Sequence, residues 1–240
     1  KQKTVVTKKE VKAVEEAAEY NRQPGNTPIS GNNILKQVQD MVRLGMSQKA
    51  NRDQNIPNRY QGDIFRFWNT IPATRALEAI RGSRSVFVFG ACGSGKTSLA
   101  VALMNQWLAE SFGGNSLDDI RPLKGIPKFI TIQELLLAIK QSWHEKENRM
   151  AESQKEILDK YSQAPLLTLD DIGAEKPSEW VRDVLTLLID RRYRDCKQTI
   201  ITSNLSLDKL SEKIDDRIAS RIVEMCEVID MGKQDYRLGV

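Results

Sequence analysis

Gly90-Ala91-Cys92-Gly93-Ser94-Gly95-Lys96-Thr97 fits the pattern G-x-x-x-x-G-K-[ST] without a mismatch. Glycines at this spacing let the backbone curl with its N–H groups turned inward, where they and the start of a following helix can receive phosphate oxygens. Lys96 adds a point charge for β- and γ-phosphates, and the Thr97 hydroxyl a ligand for Mg2+. With Ser98 beside it, the segment predicts binding of ATP and Mg2+. Leu166-Leu167-Thr168-Leu169 then leads into Asp170 and Asp171. Asp170 is expected in the Mg2+ shell, and Asp171 where a carboxylate can orient and deprotonate an attacking water. Thr202-Ser203-Asn204 closes another apolar run. Asn204 there can bond the attacking water or the γ-phosphate, or simply cap a helix over 207–214. Arg217 and Arg221 are four apart and share one helix face. Either guanidinium could reach the γ-phosphate of a neighbouring subunit, or could form surface ion pairs with Asp215 and Asp216.

These residues need a scaffold that delivers them to one place. Ser85–Phe89 reads as a strand and 97–112 as a helix, so the phosphate loop has a strand before it and a helix after it. Strands at 127–132, 166–170, 199–203 and from 228 alternate with helices at 133–143, 147–161 and 180–194. That alternation predicts an α/β fold, a mostly parallel sheet with helices on both faces. Ahead of it, 8–20 reads as a short charged helix and 22–33 as a Pro/Gly/Asn-rich linker. The organisation expected is therefore a helical N-terminal arm and linker at 1–50 and an ATPase domain at 51–240, its core starting near Ile56.

Composition narrows the classes. The chain has 240 residues and a formal net charge of +4. Residues 1–50 hold nine Lys/Arg and five Asp/Glu, nine minus five, so the whole excess sits in the arm. No apolar run reaches the ~20 residues of a membrane span, and the charged start shows no signal peptide, which leads us to expect a cytoplasmic protein without a membrane partner. Cys92, Cys196 and Cys226 lack metal-ligand spacing and read as small buried residues.

GACGSGKT, LLTLDDIGAEK, TIITSN, DDRIASRIVEMCEVID and the closing YRL together resemble the bacterial replicative-helicase loaders of the DnaC/DnaI type, whose ATPase family includes the IstB helpers of insertion sequences. Ile56-Pro57-Asn58-Arg59-Tyr60 also resembles the segment leading into the loader core. The resemblance covers about residues 56–240. It implies an AAA+ P-loop core with five strands, the loop strand central, and no C-terminal lid, since little chain follows Arg221. It makes Asp170 the Mg2+-side acid, Asp171 the catalytic acid position, Asn204 the sensor and Arg221 the trans-acting finger. It further implies a DnaB-type replicative helicase as partner, head-to-tail self-association through Arg221, and single-stranded DNA along 133–161, where Lys140, Lys146, Arg149, Lys155 and Lys160 lie. Unlike many such loaders, this chain has no cysteine before Cys92, so its arm would work without a zinc module.

Four functions compete. A helicase loader comes first. An IstB-like transposition helper would act on duplex DNA. A nucleotide-gated binding module would hydrolyse little ATP, against which Asp171, Asn204 and Arg221 argue. A small-molecule kinase would need a basic lid after the loop, and none is evident.

Overall fold

The expected alternation of strands and helices becomes a five-stranded sheet in the order β4-β5-β6-β1-β7, with every neighbouring pair parallel. The strands are β1 (Ser85–Phe89), β4 (Lys128–Thr131), β5 (Leu166–Ile172), β6 (Gln198–Ser203) and β7 (Cys226–Asp230). β2 (Phe112–Gly113) and β3 (Arg121–Pro122) pair antiparallel in a separate short ribbon. The computed structural model of the chain describes Ile56, Tyr60 and residues 70–113, 121, 122, 124–144 and 152–234. The expected arm at 1–50, Lys146, Arg149 and the final YRL lie outside the described residues.

Strands of a parallel sheet are covered on both faces and so need apolar residues at consecutive positions. In β1, Val86 and Val88 face one layer and Phe87 the other. The first layer holds α1 (Ile71–Arg81) and α2 (Lys96–Ser111), and the second α3 (Ile132–His144), α4 (Gln154–Ser162), α5 (Glu179–Arg194), α6 (Leu207–Lys213) and α7 (Asp216–Met225). Leu99, Leu103 and Leu108 of α2 are wholly buried. At about 1.5–3 kcal/mol for each such side chain, their burial secures the helix that follows the phosphate loop.

Three expectations are revised. α4 was expected from 147, yet Glu152 and Ser153 are not helical. A capping box sets its start: Glu156 N–H donates to Ser153 Oγ, while Ser153 N–H donates to the Glu156 carboxylate at 2.7 Å. α1 was not expected. Thr70 caps it, but its buried face is largely alanine, a weak periodic signal. Of the cysteines only Cys226 is buried; Cys92 and Cys196 are exposed.

Arg192 ties the second layer together. Its guanidinium is 1% exposed and donates to the carbonyls of Tyr161, Ser162, Ala164 and Gln198 and to the Thr199 hydroxyl. Burial pushes its pKa down to about 9, still above neutrality, so the side chain enters the core as a cation whose charge is met by carbonyl dipoles.

Candidate functional site

β1, β5 and β6 end side by side, and the loop after β1 is clipped to its neighbours by backbone bonds. Gly90 N–H donates to Ser203 O, Ala91 N–H to Gly232 O, and Met231 N–H to Phe89 O. A side chain at Gly90 would press its Cβ within 2.9 Å of the Gly232 carbonyl, so only glycine admits this clip. Gly95 takes φ +88°, the left-handed region that glycine enters without strain, immediately before α2 begins at Lys96. The loop therefore sits on a helix N-terminus, where free N–H groups and the helix dipole favour an anion. Lys96 Nζ donates to Gly90 O at 3.1 Å and Ala91 O at 2.7 Å, folded across the loop it would serve. Cys92 is exposed, Gly93 and Ser94 are buried, and Ser98 is half-buried in the first turn of α2. Ser94 Oγ is a buried hydroxyl with no hydrogen-bond partner among the described residues.

Thr97 Oγ1 lies 3.0 and 3.2 Å from the two Asp170 carboxylate oxygens. A hydroxyl and a carboxylate so close suit a hard cation that takes oxygen ligands. Burial raises the Asp170 pKa, hydrogen bonds from Thr202 and Thr97 oppose the rise, and the nearby Asp171 charge adds to it. A divalent cation beside Asp170 would reverse that balance by favouring the carboxylate.

Among the described residues Asp171 is one of three non-glycine residues with positive φ, at +62°. The β5–β6 register shifts between Leu169 and Ile172. The irregularity interrupts the regular ladder of β5 at Asp171, and Asn204 Nδ2 donates to its Oδ1 at 2.8 Å. Asn204 is thus engaged with the acid and is not the helix cap: α6 is preceded by Ser206, whose side chain makes no cap bond. Thr202, to which the sequence reading gave no role, joins the two acids. Its hydroxyl donates to Asp170 Oδ1 at 2.6 Å and accepts the Asp171 N–H at 2.8 Å. The sequence signal for it was a hydroxyl directly after the apolar pair Ile200-Ile201.

The arginines stand apart from this cluster. Arg221 Nε donates to Asp190 Oδ1 on α5 at 3.1 Å, and Arg217 is exposed, its backbone N–H donating to Asp215 Oδ1. On the α3–α5 side, Trp143 and Trp180 meet edge to face at 5.3 Å, with Lys140 Nζ 4.9 Å from the Trp180 ring centre. Lys160 pairs with Glu152 and Lys155 is exposed.

A family model described as IstB-like ATP binding protein matches residues 68–239. The replicative helicase loader DnaC of Escherichia coli (strain K12) is 24% identical over 151 residues, which are 62% of this chain and 55% of that protein. The replicative helicase loader DnaI of Bacillus subtilis (strain 168) is 27% identical over 131 residues, 53% of this chain and 35% of that protein. The chain thus spans about half the length of the first of these relatives and less of the second. Among solved structures, a crystal structure of the DnaC helicase loader matches with a TM-score of 0.56 and 25% identity, over 72% of this chain and 99% of that one. No helix among the described residues is long and apolar enough to cross a membrane.

Proposed function

Because this chain belongs to the IstB-like ATP binding protein family, we propose that it is an ATP-driven loader that places a DnaB-type replicative helicase on single-stranded DNA. Its core is the AAA+ P-loop fold, shared with the DnaC helicase loader. The observation that carries the reading is that likeness, which spans 99% of the crystallised DnaC chain, joined to a phosphate loop whose Thr97 meets Asp170, with Asp171 and Asn204 beside it, where β1, β5 and β6 end.

ATP with Mg2+ would supply the phosphoryl group to be cleaved and offset its charge. Lys96 and the loop N–H groups of residues 90–97 would hold and orient the phosphates. Thr97 and Asp170 would hold the cation, with Thr202 fixing the Asp170 oxygens. Asp171 would orient a water and take its proton at Oδ2, the oxygen left free by Asn204. Arg221, or Arg217 in its place, would come from a neighbouring subunit in a head-to-tail assembly. Single-stranded DNA would run along α3 and α4, where Trp143 of α3, 42% exposed, and the adjoining Trp180 at the start of α5 offer ring faces for bases beside the Lys140 cation.

The test is assembly of a hexameric replicative helicase on single-stranded DNA, with this protein and ATP. Loading is expected from the native chain, none from Lys96→Ala, and weaker DNA binding from Trp143→Ala, by about 1–3 kcal/mol per unstacked base. The family model's IstB description favours one rival, a transposition helper. Tighter binding to duplex than to single-stranded DNA, with no helicase captured, would establish that rival instead.

A further inference from the structure

α5 and α7 pack together so that two pairs, each three residues apart on its own helix, face one another: Asp190 and Tyr193 on α5, Arg221 and Glu224 on α7. Asp190 Oδ1 accepts the Arg221 Nε–H at 3.1 Å. The Tyr193 ring lies under the guanidinium, 4.6 Å from its carbon. The Tyr193 hydroxyl donates to Glu224, which fixes the ring's orientation, and Glu224 also stands 3.9 Å from Arg221 Nη1. One edge and one face of the planar group are therefore held. Nη2 has no hydrogen-bond or ion-pair partner among the described residues, and the side chain is 41% exposed.

A contact that locked the arginine away would occupy its terminal amino groups, which form the fork that reaches an anion bidentately. Here the grip is on Nε and the ring face, with Glu224 at the long distance of 3.9 Å from Nη1, and Nη2 stays without a partner among the described residues. Nor is the Asp190 carboxylate taken by the other cations at that end of α5: Arg191 pairs with Asp159, Arg192 is satisfied in the core, and Arg194 Nε donates to the Asp190 backbone carbonyl. We propose that Asp190 and Tyr193 are positioning residues that preset Arg221 for insertion into the phosphate site of a second copy of this chain.

The inference rests on Arg221 acting in trans, and the experiment separates the two. ATP hydrolysis per subunit is measured on the full chain with single-stranded DNA across a protein-concentration series, for Asp190→Ala, Asp190→Asn, Tyr193→Leu and Arg221→Ala, alongside nucleotide affinity and thermal melting. Asp190→Ala and Tyr193→Leu should lose at least about tenfold in assembled turnover, the scale on which small misplacements of a reacting group act. ATP affinity should be unchanged in both. Asp190→Asn, which keeps an acceptor for Nε, should retain more activity than Asp190→Ala. Mixing Asp190→Ala with Lys96→Ala should restore activity, because the Lys96→Ala subunit donates a well-held arginine to an intact loop. If Asp190→Ala fails to fold, Tyr193→Leu in the same mixture decides. Full activity of both variants while Arg221→Ala is inactive overturns the positioning role alone. A loss that mixing with co-assembled Lys96→Ala does not restore also overturns it, since the fault then lies in the variant's own site. A fully active Arg221→Ala overturns the trans reading and this inference with it.

Discussion

Asp170 and Asp171 are adjacent in sequence yet occupy different surroundings. Asp170 is 7% exposed and accepts the hydroxyls of Thr97 and Thr202, whereas Asp171 sits at the irregular end of β5 with positive φ and accepts an amide N–H from Asn204. Their variants should separate. Asp171→Asn is expected to bind ATP normally and to slow hydrolysis by about 10² or more, while Asp170→Asn weakens Mg2+-dependent binding; equal effects in a binding and turnover assay would refute the division. Glu175, two residues past Gly173, is 8% exposed, accepts the Gly173 N–H at 3.0 Å and has no partner for Oε1 among the described residues. Burial raises its pKa, partly countered by hydrogen bonds from backbone N–H groups and by Lys213. A carboxyl raised on folding binds its proton more tightly in the folded state. Its share of stability is complete below the unfolded value, about 4.3, and is lost as pH rises through the folded one. Glu175→Gln, which cannot ionise, should melt above wild type near neutrality, with the gap closing as pH falls toward about 4; a gap constant with pH would contradict this. Sequence spacing made the loop and both acids legible because each motif is local. Thr202 and Glu175 were not, since their roles depend on which strands lie side by side.

At the scale of elements, legibility followed the strength of the apolar pattern. β1 and β6 stand where they were read because buried parallel strands need continuous runs, as in Val86-Phe87-Val88 and Ile200-Ile201. α1 escaped because Ala73, Ala76 and Ala79 make a faint stripe, and α4 was drawn too long because its polar approach matched helical spacing until Ser153 capped it. Arg192 could not be assigned a place from sequence: in DRRYR it is one of three arginines, and only packing sends it inward. Arg192→Met should leave the carbonyls of Tyr161, Ser162, Ala164 and Gln198 without their donor. A loss of about 3 kcal/mol or more in urea unfolding is expected from orphaned buried acceptors. A loss below about 1 kcal/mol would mean that water replaces the guanidinium.

For the molecule as a whole, the charge excess in residues 1–50 and the linker at 22–33 motivate an arm that grips a partner separately from the engine. Deleting 1–50 is expected to spare ATP affinity and abolish helicase capture; retained capture by the shortened chain would place the partner surface on the core. The order of the sheet has a further consequence. β1 carries the phosphate loop and is the earliest of the five strands in the chain, yet its two neighbours are β6 and β7, the last two. On a translating ribosome the loop would leave the exit tunnel long before Gln198–Ser203 exists to pair with it, and its clip to Gly232 forms later still. Synthesis would thus present the arm to the cell while the engine is unformed. Nucleotide could be held only once the residues through Gly232 have been made.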